Sequence, residues 1–146
     1  MMWFDKKNED VVFCDKRIHT SGYIKQQPNF SIIPSVQCDF RYLPFKDCSF
    51  HLISFDPPHI TDVSLFSIMG KKYGTINSNT WESDLKMGVD ECFRCLKPNG
   101  TLVFKWNEAR ISIKDVISAI GRSPMFGHTT AKSGKTKWMC FMKEAY

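Results

Sequence analysis

The feature that most constrains the fold is a series of short apolar runs that each carry an aspartate at their end. The runs are VVFCD (Val11–Asp15), SVQCDF (Ser35–Phe40) and HLISFD (His51–Asp56). β-Branched and aromatic residues in runs of this length favour buried strands. Ligands of open α/β sheets bind beyond the carboxyl ends of the strands. We therefore expect Asp15, Asp39 and Asp56 to lie at one functional edge of a sheet.

The clearest helix follows the third run. Between Thr80 and Lys97, apolar residues recur at spacings of three and four, which places them on one helical face. KPNG (Lys97–Gly100) ends this helix, because proline cannot continue it and glycine accepts a positive φ. The run Thr101–Trp106 then predicts a fourth strand, and Ser112–Ile120 predicts a second helix. Strands that alternate with helices predict an α/β fold with a mostly parallel sheet.

The C-terminal region departs from that alternation. MFGHTTA and TKWMCFMK flank a turn between Lys132 and Lys135, which predicts an antiparallel hairpin. The whole chain has 146 residues, a length typical of one domain, so we expect a single domain over residues 1–146. With 42% apolar residues, the composition excludes a wholly disordered chain.

The charge and the cysteine content bear on the cellular compartment of the protein and on whether it binds a metal. No apolar run approaches the roughly 18 residues that span a bilayer, and the N-terminus is charged where a signal peptide is apolar. We therefore expect a cytoplasmic protein with reduced, structural cysteines. Cys92 and Cys95 form a single CxxC with no second pair at zinc-site spacing, so no metal site is predicted. The net charge of +5 permits attraction to a polyanion without requiring it.

The first two strand-end aspartates suggest nucleoside chemistry. A carboxylate such as Asp15 can accept hydrogen bonds from both hydroxyls of a ribose. Asp39 can accept from an exocyclic amine, and its neighbour Phe40 can cover the face of a base. Aspartate after a strand is also a common turn or capping residue, and this structural role remains an alternative for Asp15 and for Asp39 taken singly.

The sharpest motif is FDPPH (Phe55–His59) at the end of the third strand. Pro57 and Pro58 remove two backbone donors and fix φ, which leaves carbonyl groups to face a ligand. An amine that attacks an electrophile needs acceptors for its N–H groups, and Asp56 with the Pro57 carbonyl can supply them. His59 can stack on a base. The alternative is a rigid Pro-Pro turn with His59 exposed.

With these motifs in order, the sequence resembles class I S-adenosylmethionine-dependent methyltransferases that methylate amino groups. More narrowly, it resembles small methyltransferase-like proteins of bacteriophages and prophages. The segments that carry the resemblance are WFDKKNEDVVFCDKR (Trp3–Arg17), CDFRYLPFKDCSFHLISFDPPH (Cys38–His59), KYGTINSNTW (Lys72–Trp81), ECFRCLKPNGTLVFKWNE (Glu91–Glu108) and FGHTTAKSGKTKWMCFMK (Phe126–Lys143).

The resemblance implies a Rossmann-like fold and S-adenosylmethionine as the cofactor. It implies that Asp15 binds the cofactor ribose and that Asp39 and Phe40 contact its adenine. The catalytic motif that holds the target amine would be Asp56, Pro57, Pro58 and His59. The implied substrate is an exocyclic amino group in DNA, of the N6-adenine type. A phage-encoded enzyme would act in the cytoplasm of the bacterial host.

Two departures from the family pattern are visible. Relatives carry a strand and a glycine-bearing loop ahead of a segment like MMWFDK, and this sequence starts inside that segment. We therefore expect a first strand to be absent, an N-terminus truncated relative to the family, and a sheet edge that can pair with another copy or a partner chain. In addition, His59 stands where relatives carry Tyr, Phe or Trp.

DNA as the partner gains some support from the segment HTTAKSGKTKW, whose lysines can contact phosphate while Trp138 stacks on an unpaired base. The alternative reading of that segment is a solvated hairpin turn. Two other functions remain open for the chain. One is a catalytically inactive methyltransferase-fold binding module or truncated remnant. The other is a methyltransferase that acts on a substrate other than nucleic acid.

Overall fold

Two units, Met1–Phe40 and Arg41–Tyr146, make up the chain in the computed structural model, which describes residues 3–5, 7–128 and 134–145. Lys132, which was expected in the C-terminal turn, lies outside those residues. The expected α/β class is confirmed, and the prediction that the chain is one domain stays a prediction.

The first unit is built on a short parallel pair of strands. β1 (Cys14–Asp15) pairs with β2 (Val36–Gln37), and Asp15 lies opposite Gln37. Both strands are shorter than the apolar runs that predicted them. The chain between them folds back on itself through an antiparallel bridge between His19 and Ile32. Ile24, in this segment between the two strands, is buried.

The part of the second unit that the structure describes contains a four-stranded mixed sheet. Its strands are β3 (Phe50–Phe55), β4 (Leu96–Asn107), β5 (Phe126–Gly127) and β6 (Thr136–Met142), in the order β3-β4-β6-β5. β3 and β4 are parallel, and β6 runs antiparallel to both of its neighbours. The expected antiparallel C-terminal hairpin is therefore confirmed. β3 lies at an edge of this sheet, and pairing of a sheet edge with another chain stays a prediction.

Among the described residues, three helices belong to the second unit. They are α1 (Ile68–Tyr73), α2 (Trp81–Cys95) and α3 (Ile113–Ile120). The two longer helices match the predicted ones, and α1 has no counterpart among the helices that the sequence predicted. Ser112 caps α3 through its side chain, and Gly121 ends α3 with a left-handed φ of 65°. Within the described residues, no helix is long and apolar enough to cross a membrane.

β4 begins earlier than the sequence predicted. The KPNG segment ends α2 as expected, but it lies within the strand as a bulge, because Phe50 pairs with Leu96 and Leu52 with Thr101. Asn99 takes a positive φ of 61° there. Beyond the bulge, β4 runs in regular parallel register with β3, so the carboxyl ends of the two strands lie side by side.

The core of the second unit lies against one face of β4. Leu102, Phe104 and Trp106 alternate along the strand and are fully buried. Buried residues of α2 and α3, such as Leu85 and Val116, supply the apolar side chains of the helical layer. Each fully buried side chain of this size stabilises the fold by roughly 1.5–3 kcal/mol. The residues between them on β4, including Lys105, point to the opposite face and are only partly buried.

Candidate functional site

Asp56 is the first residue beyond the carboxyl end of β3. Because Phe55 pairs with Phe104, the next residue of β4, Lys105, lies alongside it. The ammonium nitrogen of Lys105 lies 2.7 Å from Oδ2 of Asp56, and the two side chains are 23% and 37% exposed. The sheet therefore holds a carboxylate and an ammonium together at its edge, both open to solvent.

Trp138 adds an aromatic face to this pair. It lies directly opposite Lys105 in the antiparallel pairing of β4 with β6. The Lys105 nitrogen lies 5.9 Å from the centre of the Trp138 ring, within the range of a cation–π contact. The cation thus has the carboxylate and the indole as partners, which restricts its position.

Lys105 was missed as a site residue in the sequence. The sequence could have identified Lys105, since it is the only charged residue in the otherwise apolar strand run TLVFKW. The pairing of that run with HLISFD, and its register, were not readable from the sequence. Only the register places Lys105 beside Asp56.

His59 is half-buried two residues after the first proline of the pair. Its ring lies 6.2 Å from that of Trp106, edge-on at 78°, and 6.5 Å from that of Tyr73. Burial lowers the pKa of His59; nearby Asp56 opposes this shift, and Lys105 adds to it. The imidazole is therefore uncharged near neutral pH. Its stacking on a base stays a prediction.

The chain that follows His59 forms a loop, residues 60–78, which is closed at its base by backbone hydrogen bonds. The Ile76 N–H donates to the Ile60 carbonyl at 2.9 Å, and the Asp62 N–H donates to the Ile76 carbonyl at 3.1 Å. The Thr75 hydroxyl also donates to the Ile60 carbonyl. Hydrogen bonds from Ser78 lower the pKa of Asp62 at the same base. The 60–78 loop is thus anchored next to the DPPH motif.

In the first unit, Asp15 is held by a neighbour in sequence. The backbone N–H and Nε of Arg17 donate to Oδ1, and Nη2 donates to Oδ2 at 2.8 Å. Such a forked contact orients the carboxylate and satisfies much of its hydrogen-bonding capacity. A ribose that binds Asp15 would therefore have to exchange with Arg17.

Asp39 also has a cationic partner, but one that is distant in sequence. The ammonium of Lys16 lies 2.9 Å from its Oδ2, and Phe40 beside it is half-buried. Asp39 follows the carboxyl end of β2, as Asp15 ends β1, so both carboxylates lie at the same end of the parallel pair. The prediction that Asp56 shares one edge with them stays a prediction.

A pocket of about 240 Å³ opens next to Asp15 in the first unit. Its wall is aromatic and aliphatic, with the carboxylate as the charged group. The lining residues are Trp3, Phe13, Cys14, Asp15, Ile32, Ile33 and Pro34. A concave apolar surface with one carboxylate suits part of a small polar-aromatic ligand, such as a nucleoside.

The C-terminal hairpin corrects one expectation about phosphate contacts. Lys137 is only 5% exposed, and its ammonium lies 3.1 Å from Oε1 of Glu108. The hydrogen bond from Lys137 lowers the pKa of Glu108. A buried, paired lysine does not reach a phosphate, so the expectation is wrong for Lys137. Lys135 and His128 are exposed, while Lys132 lies outside the described residues.

The cysteines show no arrangement for metal chemistry. Cys92 and Cys95 are buried in α2, and burial raises the pKa of Cys95. Within residues 3–5, 7–128 and 134–145, no three His, Cys, Asp or Glu side chains cluster as metal ligands. The buried thiols act as small apolar side chains.

No protein-family model and no curated protein matches the sequence. Among solved structures, the chain is similar to three crystal structures of a candidate DNA modification methylase of the bacterium Thermus thermophilus. A selenomethionine form has 18% identity and a TM-score of 0.47, over 70% of this chain and 50% of that one. A second has 18% identity and a TM-score of 0.46, over 75% and 52%.

The third structure is a complex of that methylase with S-adenosyl-L-methionine. It has 18% identity and a TM-score of 0.42, over 70% of this chain and 49% of that one. The chain thus spans about half the length of the solved structures to which it is similar.

Proposed function

We propose that the chain is an S-adenosylmethionine-dependent methyltransferase that methylates an exocyclic amino group in DNA, of the N6-adenine type. One observation carries the proposal: the carboxylate of Asp56, at the end of β3, is fixed by Lys105 and followed by two prolines and an uncharged histidine. Asp56, Pro57 and Pro58 fit the amine-holding motif of the family that the sequence resembles, and His59 takes the place of that motif's aromatic residue.

Asp56 would hold the target amine. Lys105 donates to Oδ2, and in the proposal the amino group donates to Oδ1 and to the Pro57 carbonyl. Both contacts turn the nitrogen lone pair away from the protein and toward the methyl donor. Positioning of this kind supplies much of the rate enhancement when two reactants must meet in line.

His59 would cover the target base. Its ring is held against Trp106 and Tyr73, which limits its rotation. Because burial keeps the imidazole uncharged, it offers a flat face without adding a second positive charge beside Lys105. A base that reaches this ring must first leave the DNA stack.

The residues of the first unit fit the cofactor by their chemistry. In the proposal, Asp15 binds the ribose hydroxyls, while Asp39 and Phe40 bind the adenine. The carboxylate-bearing pocket beside Asp15 has the aromatic walls that a nucleoside requires. S-adenosylmethionine supplies a methyl group that is electrophilic because it is bonded to a sulfonium.

One observation favours the second candidate, an inactive methyltransferase-fold binding module. Both carboxylates assigned to the cofactor already have cationic partners, Arg17 and Lys16. If those ion pairs persist, the cofactor does not bind. Calorimetry with S-adenosylmethionine and its demethylated product separates the two candidates: saturable binding that is lost in Asp39→Ala supports the enzyme, and no binding supports the module.

Methyl transfer to unmodified DNA, RNA and protein tests the substrate class and the role of Asp56. We expect transfer to DNA, and we expect Asp56→Ala to lower the rate by about 10²–10⁴-fold, the range for loss of a positioned catalytic group. Asp47→Ala is the matched control, because Asp47 is an exposed aspartate that pairs with Arg94. An unchanged rate in Asp56→Ala would refute the assigned mechanism.

A further inference from the structure

The tip of the 60–78 loop presents apolar side chains to solvent. Phe66 is 88% exposed, and Leu65, Ile68 and Met69 are also exposed. Single exposed apolar residues are ordinary, but four within five positions form a patch, and contiguous apolar patches mark interaction sites. The proposed function does not explain this patch, because the patch contains none of the residues assigned to the catalytic motif or to the cofactor.

Hydrogen bonding and close backbone packing define the conformation of the loop tip. The hydroxyl of Ser67 accepts from the Gly70 N–H at 3.0 Å and caps α1. A Cβ on Gly70 would lie 2.2 Å from the Ser64 carbonyl oxygen, so only glycine allows α1 to pack this closely on the backbone of residues 64–65. With its base closed by Ile60 and Ile76, the loop holds Phe66 outward instead of folding it against the protein.

The charge around the patch is positive. Lys71 and Lys72 form the last turn of α1, and the sequence from Val63 to Trp81 contains no aspartate or glutamate. The Lys72 ammonium lies 5.2 Å from the centre of the Tyr73 ring. Such a surface suits a partner that is polyanionic outside and apolar inside. Duplex DNA has phosphates outside and stacked bases inside.

The loop is also continuous with the candidate site. It starts at the residue after His59, and Tyr73 in α1 brings its ring within 6.5 Å of that histidine. An anionic lipid surface would suit the same apolar and basic residues, but it would give no reason for this proximity to the amine-holding motif. The proximity therefore favours DNA as the occupant.

We propose that the 60–78 loop binds duplex DNA, with Phe66 inserted into the base stack and Lys71 and Lys72 on flanking phosphates. Insertion of an apolar side chain unstacks neighbouring bases, which is the step that releases a target base toward Asp56. The inference rests on the proposed function, since it names the nucleic-acid contact of the same site.

Binding to a short duplex, followed by fluorescence anisotropy, tests the contact without any need for the cofactor. We expect Phe66→Ala to weaken binding about tenfold, because aromatic stacking on a base contributes that much or more. Phe126→Ala is the matched control, since Phe126 is a 66% exposed phenylalanine on β5. We expect the control to bind as the parent protein does.

Two further readouts assign the roles. A 2-aminopurine in the duplex should brighten on binding of the parent protein, and this signal should be lost in Phe66→Ala. The double variant Lys71→Gln with Lys72→Gln should reduce the salt slope of the binding constant by about two, since each phosphate contact contributes about one. Circular dichroism of each variant verifies that it is folded.

The outcomes separate the inference from the proposed function. If the protein methylates DNA through Asp56 while Phe66→Ala leaves affinity and the aminopurine signal unchanged, the inference is overturned and the function stands. If Phe66 governs binding and unstacking but no methyl group is transferred, the inference stands and the function fails. Binding to anionic vesicles with no binding to DNA overturns the inference in favour of a lipid surface.

Discussion

The carboxylate of Asp56 and those of Asp15 and Asp39 are held in different ways. Asp56 is fixed by Lys105, a residue 49 positions away that the pairing of two sheet strands brings beside it. Asp15 is bound by Arg17, two residues along the chain, at the end of a two-residue strand. The first arrangement depends on the folded sheet, whereas that of Asp15 is local. Asp39 is intermediate, because its partner Lys16 lies 23 positions away but on an exposed side chain.

This difference indicates two kinds of function. The partner of Asp56 lies on the twelve-residue strand β4, which carries core residues on its other face, and a group held by such a strand has the fixed geometry that alignment of a reacting amine would require. Lys16, the partner of Asp39, is 69% exposed, and an exposed ion pair contributes only about 0–1 kcal/mol, so Asp39 can exchange this partner for a ligand at low cost. Asp15 and Arg17 are both partly buried, and a ribose has to displace Arg17 before it binds Asp15. We therefore expect Asp56 to be preorganised, and we expect Asp15 and Asp39 to reorganise when a ligand binds.

Among the residues that hold the three carboxylates in place, the largest effect is expected at Lys105. Lys105→Met removes the ion pair and should lower kcat by about 10- to 100-fold with little change in KM, because Lys105 acts by positioning Asp56. Lys105→Arg should restore most of the activity. Lys97→Met is the control, since Lys97 is also on β4 and contacts His51. A change in KM alone would place Lys105 in substrate binding and weaken the contrast between the two regions.

A smaller effect is expected at Asp15 and Arg17. Asp15→Ala should weaken S-adenosylmethionine binding about tenfold, as expected for loss of a hydrogen-bonding charge. Arg17→Ala should strengthen it by up to about fivefold, because the ribose no longer competes with Arg17 for the carboxylate oxygens. Calorimetry measures both. Weaker binding in Arg17→Ala would show that Arg17 holds Asp15 ready for the ligand, so that this region too is preorganised.

The smallest effect concerns pH. The pKa of His59 in the folded protein lies below its ordinary value of about 6.5, chiefly because of burial. The unfolded chain therefore takes up a proton first as the pH falls, and the free energy of unfolding should decrease from about pH 7 downward until the folded pKa is passed. Urea denaturation at several pH values should show a shallower decrease in His59→Gln than in the exposed control His128→Gln.

The sequence was sufficient for the elements whose signal is local. The spacing of apolar residues predicted α2, and the KPNG segment correctly ended it. The apolar run of β3 located Asp56 at a strand end within one residue. These features depend on periodicity and on turn chemistry, which neighbouring residues decide.

Features that depend on contacts between distant segments were not predictable. The partner of Asp56 follows from the register of β3 with β4, and the burial of Lys137 follows from its pairing with Glu108. α1 was missed because its six residues, which include Gly70, are too few to show a helical period. The lengths of β1 and β2 were overestimated, since an apolar run indicates extended backbone but not how many of its residues pair with a second strand.

The ion pair between the buried Lys137 and the partly exposed Glu108 has a consequence for how the hairpin assembles. Lys137 and Trp138 are adjacent on β6 and point to opposite sides of the sheet, one to Glu108 and the other to Lys105. If β6 slipped by a single position, the indole would face an unneutralised glutamate and the buried ammonium would lose its counter-ion. We expect that penalty to exclude the slipped alignment. The ion pair of Lys137 with Glu108 on one side of the sheet therefore determines the position of the Trp138 ring on the other side, beside Lys105 and Asp56.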